Sequence, residues 1–371
     1  MPGSEFRFEL RVCRWAERNW PPPDPGSCQV EDGGTSDGAG GAGGSGTDSG
    51  PPVVVGRQLG TQYRRWDTVV VECDPEGLRE RARFGADALD SDLLHVVRDA
   101  PAEWTWYREA LPEPDYPWRY VREAVHRAAD RRVLETRRDG NRIEIRRRWP
   151  YPDWVRRVVA VENKPDLDAS AARSLRPQLE HDVAMGLADE AWVATESVGG
   201  VEPVLLENLP VEAGILAVDP AEGDPEVSVE WYPGSLAVGD PGTRILDRPA
   251  GGDHDRSAAR FEYVDPAEKA EKRLAIAERA YGRGWRSYAD SMRPDCRHFR
   301  LRPEGTALLP WCAAKARGQT AAECSGSCPE FEPEPPAWRS RGPPIQGGPG
   351  RLQRRILRRR RRRRRPGLSE E

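Results

Sequence analysis

Lysine and long apolar runs are both scarce in this sequence. Only four of its 57 basic residues are Lys. It contains no stretch of about 18 apolar residues, which excludes a membrane-spanning helix of ordinary length. The N-terminus alternates charged with apolar residues and lacks the apolar core of a signal peptide. We therefore expect a cytoplasmic protein without a membrane partner.

Positive charge is concentrated at one end of the chain. Residues 351–365 contain 11 Arg and no acid, so the formal net charge of −4 becomes −13 over residues 1–350. An acidic body that uses Arg instead of Lys fits a halophilic source, because net charge keeps proteins soluble. We expect the Arg-rich tail at 336–371 to be disordered, and its Arg run either binds phosphate or is an unselected extension.

Alternating β-rich and helical segments predict an α/β fold with a mixed central sheet flanked by helices. A helix over 5–19 precedes strands at 53–55 and 68–71, and a strand at 156–161 precedes a helix at 170–188 and a strand at 191–195. The full division is a core at 1–20, 53–75 and 150–232, a flexible linker insertion at 32–52, an inserted unit at 80–149, a linker at 233–260, a helix with a Cys-rich segment at 261–335, and the tail at 336–371.

The inserted unit has a pattern of its own. Helices are predicted near 89–98, 103–110 and 117–130, and an Asp139-Gly140 turn then joins two strands into a hairpin. Three helices followed by a hairpin resemble a winged helix-turn-helix, whose second helix and wing commonly contact DNA. The alternative is a helical subdomain that only covers the sheet.

The strand at 156–161 runs directly into Glu162-Asn163-Lys164. Because side chains alternate along a strand, Glu162 and Lys164 lie on the same face. With a second carboxylate, Glu162 can hold Mg²⁺ through hard oxygen ligands, while Lys164 positions the attacking water or stabilises charge on a phosphate. The scarcity of Lys adds weight to Lys164, although the ordinary reading of such a tripeptide is a solvated ion pair.

Four cysteines form a second candidate site. Cys296, Cys312, Cys324 and Cys328 fall within 33 residues of a segment rich in Pro and Gly. Four thiolates can hold Zn²⁺ or a [4Fe–4S] cluster, and either would supply folding energy that such a segment lacks. The alternative is a set of reduced cysteines without a shared ligand.

The segments RRWDTVVVEC and VVAVENKPD follow an N-terminal helix in an order that resembles the PD-(D/E)XK nuclease superfamily, which has a restriction-endonuclease-like fold. The resemblance implies a catalytic site of Asp67, Glu162 and Lys164, with Glu9 of the N-terminal helix as a further metal ligand. Gln178 falls where RecB-like members carry a glutamine close to the active site. The chain also resembles an uncharacterised family from halophilic archaea.

The chain departs from that superfamily's pattern in two places. Asp67 and Glu162 are 95 positions apart, which requires the inserted unit to separate two neighbouring strands. Asp153 lies nine residues before Glu162, matches the literal motif and is the alternative second acid. AddB-type nucleases place one cluster Cys before the core and three after it, a spacing that is not found here, so Zn²⁺ and [4Fe–4S] both stay open.

Together these patterns predict an enzyme that uses Mg²⁺ or Mn²⁺ to hydrolyse phosphodiester bonds of DNA in repair, recombination or defence. One alternative keeps the fold and the DNA partner but treats the site as inactive, which makes the protein a DNA-binding regulator. The other is a metal- or iron–sulfur-containing interaction protein whose functional part is the Cys segment.

Overall fold

The computed structural model describes residues 2–23, 50–196, 207–219, 225–247, 260–287, 296–304, 307–319 and 328–332, with residues 355, 356 and 359 of the tail. The predicted flexible insertion, Cys324 and the rest of the Arg-rich tail lie outside the described residues. None of the helices in the described ranges combines the length and the apolar character that a membrane span requires.

The helices and strands follow one another in the following order. They are α1 (Pro2–Asn19), β1 (Val53–Gly60), β2 (Arg65–Cys73), α2 (Pro75–Ala82), α3 (Ser91–Asp99), β3 (Thr105–Trp106), α4 (Tyr107–Ala110), α5 (Trp118–Asp130), β4 (Leu134–Asp139), β5 (Arg142–Arg147), β6 (Val155–Asn163), α6 (Ala169–Met185), β7 (Glu190–Glu196), β8 (Ala213–Val218), β9 (Val227–Trp231), β10 (Gly242–Asp247), β11 (Arg260–Val264), α7 (Pro266–Arg283), β12 (Phe299–Glu304), β13 (Ala307–Cys312) and β14 (Arg317–Gly318).

A six-stranded sheet of order β1-β2-β6-β7-β8-β9 forms the centre of the fold. β6, β7 and β8 are parallel, whereas β1, β2 and β9 pair antiparallel with their neighbours. The last six residues of β6 are buried, as expected for a central strand that is covered on both faces. Glu162 and Asn163, which end this strand, are its only buried polar residues. The predicted mixed sheet flanked by helices is confirmed.

The helix α1 covers one face of this sheet and is itself covered. Residues 8–16 are all buried, so the predicted amphipathic helix has no open polar face along this stretch. The reason lies at the other end of the chain, because Phe299 of β12 and Leu309 of β13 join the same apolar core as Phe8 and Leu10. The C-terminal strands therefore complete the core around α1.

The helices α6 and α7 cover the opposite face. Leu175 and Leu179 of α6 pack against β7 and β8. Ile276 and Ala280 of α7 pack against β2 and β6. The helix α7 lies beyond the linker predicted at 233–260, yet it packs against the central sheet, and β10 lies within that predicted linker.

The inserted unit is a subdomain with its own apolar core. Its elements are α3, β3, α4, α5, β4 and β5, and its three strands form an antiparallel sheet of order β3-β5-β4. The helix predicted at 103–110 is wrong over its first half, because Thr105 and Trp106 pair with Ile145 and Glu144 as strand β3. Only the single turn α4 remains helical there.

A buried polar network ties both ends of the inserted unit to α7. The Glu278 carboxylate accepts two 2.5 Å hydrogen bonds from Arg81, which lies in α2. It also accepts from the main-chain N–H of Leu89 at 2.9 Å and from the Tyr151 hydroxyl at 2.6 Å. Leu89 lies just before α3 and Tyr151 just after β5, so one carboxylate fixes the subdomain at its entry and its exit.

Candidate active site

Three acidic residues from three elements meet around the end of β6. The register that pairs Thr68 with Val161 puts Asp67 of β2 opposite Glu162 of β6. The main-chain N–H of Asn163 donates to Asp67 Oδ2 over 3.0 Å, which fixes this alignment. Opposed residues in an antiparallel pair have Cβ atoms about 5 Å apart. We call Glu9, Asp67 and Glu162 the acidic cluster.

Gln58 of β1 links two members of this cluster. It lies opposite Asp67, between the pairs formed by Arg57 and by Leu59. Its φ of 53° is in the left-handed region that residues other than glycine rarely adopt. The side-chain Nε2 donates to Asp67 Oδ1 and to Glu9 Oε1, each over 3.0 Å. A strained backbone that is held by functional side chains is typical of an active site.

Glu9 is the member of the cluster that lies in α1. Arg57 donates two hydrogen bonds to its carboxylate, over 3.1 and 2.7 Å. Burial raises the pKa of Glu9, while Arg57 and Gln58 oppose that rise and the charge of Asp67 adds to it. The helix acid that the resemblance implied is therefore close enough to Asp67 to interact with it electrostatically.

Glu162 has the most informative environment of the three. Burial, reinforced by the charge of Asp67, raises the pKa of Glu162 to about 7, although Arg64 favours the ionised form. Arg64 Nη2 donates to Glu162 Oε1 over 2.7 Å. A buried carboxylate with a raised pKa beside a second acid is a frequent property of functional sites.

Arg64 and Asp182 are site residues that the sequence did not reveal. Arg64 lies in the turn between β1 and β2, and its Nε and Nη2 both donate to the Asp182 carboxylate of α6. Trp66 Nε1 donates to the same carboxylate over 3.0 Å. One signal was available, because Asp182 continues the buried stripe of Leu175 and Leu179 along α6 and an acid at such a position is unusual.

Lys164 directly follows the strand that carries Glu162, whereas Gln178 lies on the exposed side of α6. The main-chain N–H of Lys164 donates to Ala194 O over 2.8 Å, which continues the extended backbone and keeps Lys164 on the face of Glu162. Its half-buried side chain has no hydrogen bond or ion pair within the part of the chain that the structure describes. Gln178 is exposed, one helical turn before Asp182. A role for Gln178 in catalysis stays a prediction.

The structure separates Asp153 from the acidic cluster. Asp153 is exposed and precedes the first residue of β6, whereas Glu162 is the next to last residue of that strand. At about 3.3 Å per residue, the part of β6 from Val155 to Glu162 alone spans about 23 Å, too far for the two acids to share a cation. The alternative second acid therefore lies at the opposite end of β6 from Glu162.

The Cys segment is described only in part. Cys296, Cys312 and Cys328 are half-buried free thiols, and Cys324 lies outside the described residues. Cys312 pairs with Phe299 in the β12–β13 hairpin, which places it beside the core around α1. Binding of Zn²⁺ or a [4Fe–4S] cluster by the four thiolates stays a prediction.

The donors of the acidic cluster suit a hard divalent cation, although no cation site is preformed. Within the described ranges, no group of three or more His, Cys, Asp or Glu side chains is arranged to hold a metal ion. Carboxylate oxygens are nevertheless the preferred ligands of Mg²⁺ and Mn²⁺. Burial, to which the charge of Asp67 adds, raises the pKa of Glu9 and of Glu162. Arg57, Gln58 and Arg64 already bond to these oxygens.

Glu162→Gln is expected to stabilise the metal-free protein above pH 7. Folding raises the pKa of Glu162 to about 7. The protonated carboxyl is fully compatible with the fold below the unfolded pKa, and the free energy of unfolding falls as the pH rises from that pKa to about 7. The variant should gain roughly 3 kcal/mol at pH 8 and almost nothing at pH 4. Urea denaturation in EDTA at both pH values measures this. An equal effect at both pH values contradicts it, and Glu80→Gln, in an exposed ion pair with Arg83, serves as the control.

The structure thus defines a mixed α/β protein with an acidic cluster, two of whose three carboxylates are buried, at the end of the central strand. The chain belongs to the family described as "Family of unknown function (DUF5787)", whose model matches residues 54–333. This range contains Asp67, Glu162 and Asp182 but not Glu9. Comparisons with curated proteins and with solved structures return no match.

Proposed function

We propose that the chain is a divalent-metal-dependent nuclease that hydrolyses phosphodiester bonds of DNA, in repair, recombination or defence, and that the acidic cluster is its active site. The observation that carries the proposal is the meeting of Asp67 and Glu162 across β2 and β6, with Lys164 two residues beyond Glu162 on the same face. The PD-(D/E)XK resemblance requires an acid on the first helix, a second acid on β2, and the Glu-x-Lys pair at the end of the strand beside it, β6.

In this proposal each side chain has a definite task. Asp67 and Glu162 would hold Mg²⁺ or Mn²⁺, with Glu9 as the further acid, and the cation would activate water and offset charge on the phosphate. Gln58 and the N–H of Asn163 fix the orientation of Asp67. Lys164 is free to meet the phosphate or the attacking water, because its ammonium has no partner within the described ranges.

The topology of the inserted unit supports a DNA partner. Its order of helix, strand, two helices and two strands, with β5 between β3 and β4, resembles that of a winged helix-turn-helix. In such a unit α5 would enter the major groove and the β4–β5 hairpin would be the wing. The Gly140 φ of 55° closes that hairpin with a tight turn.

The charge of the inserted unit also supports this partner. Residues 119–148 contain 11 Arg and five acids, in a body whose residues 1–350 are otherwise acidic. Some of these Arg are neutralised, because Arg137 pairs with Glu144 and Arg146 with Glu135. Arg122 of α5 and Arg138 of the hairpin remain exposed and have no ion pair among the described residues. They are the side chains best placed to contact phosphates.

Arg122→Glu combined with Arg138→Glu is expected to weaken binding of duplex DNA by about 10- to 100-fold at low salt, because two phosphate contacts are reversed in charge. The slope of log K against log salt should also fall by about 2. Fluorescence anisotropy with a labelled duplex in EDTA measures both. The control is Arg79→Glu in α2, an exposed Arg outside the inserted unit, and equal losses in both proteins would exclude a specific surface.

The proposal is tested by incubating the purified chain with duplex and single-stranded DNA in Mg²⁺, Mn²⁺ or EDTA. Cleavage that requires the metal supports it, and binding without cleavage under either cation contradicts it. The second outcome would favour an inactive DNA-binding regulator, a candidate suggested by the Arg64 bond to Glu162. For the Cys segment, visible absorbance of purified protein would identify an iron–sulfur cluster, and a colourless zinc-loaded protein would indicate a structural site.

A further inference from the structure

Arg64 bonds to the one carboxylate of the acidic cluster that the Glu-x-Lys motif supplies. Its Nη2 lies 2.7 Å from Glu162 Oε1 and 2.9 Å from Asp182 Oδ2, so one guanidinium joins two buried carboxylates. The side chain of Arg64 is itself only 11% exposed. The place next to Glu162 that a metal ion would need is therefore held by a cation of the chain.

The turn that carries Arg64 is held rigidly. The N–H of Thr61 donates to Arg64 O over 2.7 Å, and the hydroxyl of Thr61 accepts from the N–H of Arg64 over 3.2 Å. Gly60, with φ of 158°, lies against the Arg64 carbonyl, and a Cβ at Gly60 would come within 2.1 Å of that oxygen. The hydrogen bonds of the turn thus fix the backbone position of Arg64, and the carboxylates that its guanidinium contacts fix the position of that guanidinium.

The two partners hold Arg64 unequally. Asp182 accepts three hydrogen bonds from it, over 2.9 to 3.1 Å, whereas Glu162 accepts one. Asp182 is 2% exposed and lies on α6 rather than on a strand of the acidic cluster. Trp66 Nε1 occupies a further position on Asp182 Oδ1. Asp182 is therefore equipped to bind Arg64, while Glu162 retains an oxygen, Oε2, without this bond.

We propose that Arg64 is the resident counter-cation of Glu162, that a divalent cation displaces it from that carboxylate, and that Asp182 keeps the displaced guanidinium beside the site. This inference rests on the proposed metal-dependent function. It accounts for the absence of a preformed metal group among the described residues, because Arg64 occupies Glu162 until the cation arrives. A guanidinium that stays charged and fixed by a second carboxylate can exchange one partner without unfolding the site.

The proposal predicts effects of opposite sign for two variants in Mn²⁺ titration calorimetry of the full chain. Asp182→Asn removes the anchor and leaves Arg64 with Glu162 alone, so Mn²⁺ should bind several-fold more weakly. Arg64→Met combined with Asp182→Asn removes the competing cation together with the charge of its anchor and leaves the Glu162 carboxylate without a counter-cation, so Mn²⁺ should bind about tenfold more tightly than to the wild type. Circular dichroism and melting curves establish that both variants fold.

The matched control is Arg273→Met combined with Asp189→Asn, which removes a half-buried ion pair of similar length, 2.7 Å, between α7 and the loop after α6. It should leave the Mn²⁺ affinity unchanged. Detectable binding by the double Arg64 variant alone would also support the proposal. Equal or weaker binding by that variant overturns it, and leaves the proposed function standing if the wild type binds Mn²⁺ and cuts DNA. If neither protein binds Mn²⁺, both proposals fail.

Discussion

Asp67→Asn is expected to reduce metal-dependent cleavage of DNA by at least about 10³-fold, because the variant replaces a carboxylate that would hold the cation with a neutral amide. The fold should survive. The carbonyl oxygen of the new amide can still accept a hydrogen bond from the N–H of Asn163 or from Gln58 Nε2, which bond to the Asp67 oxygens at 3.0 Å. Single-turnover cleavage of labelled DNA in Mg²⁺ measures the loss, and duplex binding in EDTA should be unchanged.

The sharpest control for this result is Asp153→Asn. Asp153 matches the literal sequence motif but lies at the far end of β6, exposed to solvent. Its replacement should leave cleavage within about twofold of the wild type, since surface changes remote from a site have small effects. If Asp153→Asn and not Asp67→Asn abolished cleavage, the assignment of the second acid from the strand register would be wrong.

Much of the sheet follows from the sequence because its strands are strongly patterned. The valine-rich runs at 53–55 and 68–71 and the strand before Glu162 are found where they were predicted. Placing Asp67 beside Glu162 required more, since 95 residues separate them. A family resemblance implied that Asp67 and Glu162 lie close together, and their proximity depends on the long-range antiparallel pairing of β2 with β6.

The polar partners of the acidic cluster were not predictable in the same way. Gln58 is an ordinary residue in the sequence, and its role comes from a left-handed backbone conformation within β1. Arg64 is one Arg among 53, and only the turn at Thr61 directs it toward Glu162. Local propensity does not encode such contacts, because they depend on which distant side chains share a buried space.

The coverage of α1 shows the same limit at a larger scale. Its spacing of apolar residues predicted one buried face, yet Arg11 and Arg14 are also buried. The C-terminal strands close over the helix from a position about 300 residues away in sequence. A periodic pattern identifies a helix, but it does not reveal how many of its sides are covered.

Glu278→Ala is expected to lower the free energy of unfolding by about 3–5 kcal/mol, the largest stability effect that we expect from a single substitution in this chain. Glu278 and Arg81 are both 0% exposed in their side chains and lie 2.5 Å apart. Truncation leaves the Arg81 charge buried without its partner, and the N–H of Leu89 and the Tyr151 hydroxyl lose an acceptor as well. Equilibrium urea denaturation, followed by far-UV circular dichroism, measures the loss.

Two further variants separate the cost of an unpaired charge from the value of the ion pair itself. Arg81→Met combined with Glu278→Gln removes both charges but keeps an acceptor for Leu89 and Tyr151, so it should recover most of the loss. Glu80→Ala breaks an exposed pair with Arg83 and should cost less than about 0.5 kcal/mol. Because the network fixes the inserted unit to α7 at both ends, Glu278→Ala should also weaken duplex binding under native conditions. If the double variant were as unstable as Glu278→Ala, the loss in Glu278→Ala would come from the missing ion pair and not from the unpaired charge of Arg81. The ion pair itself would then hold the inserted unit in place.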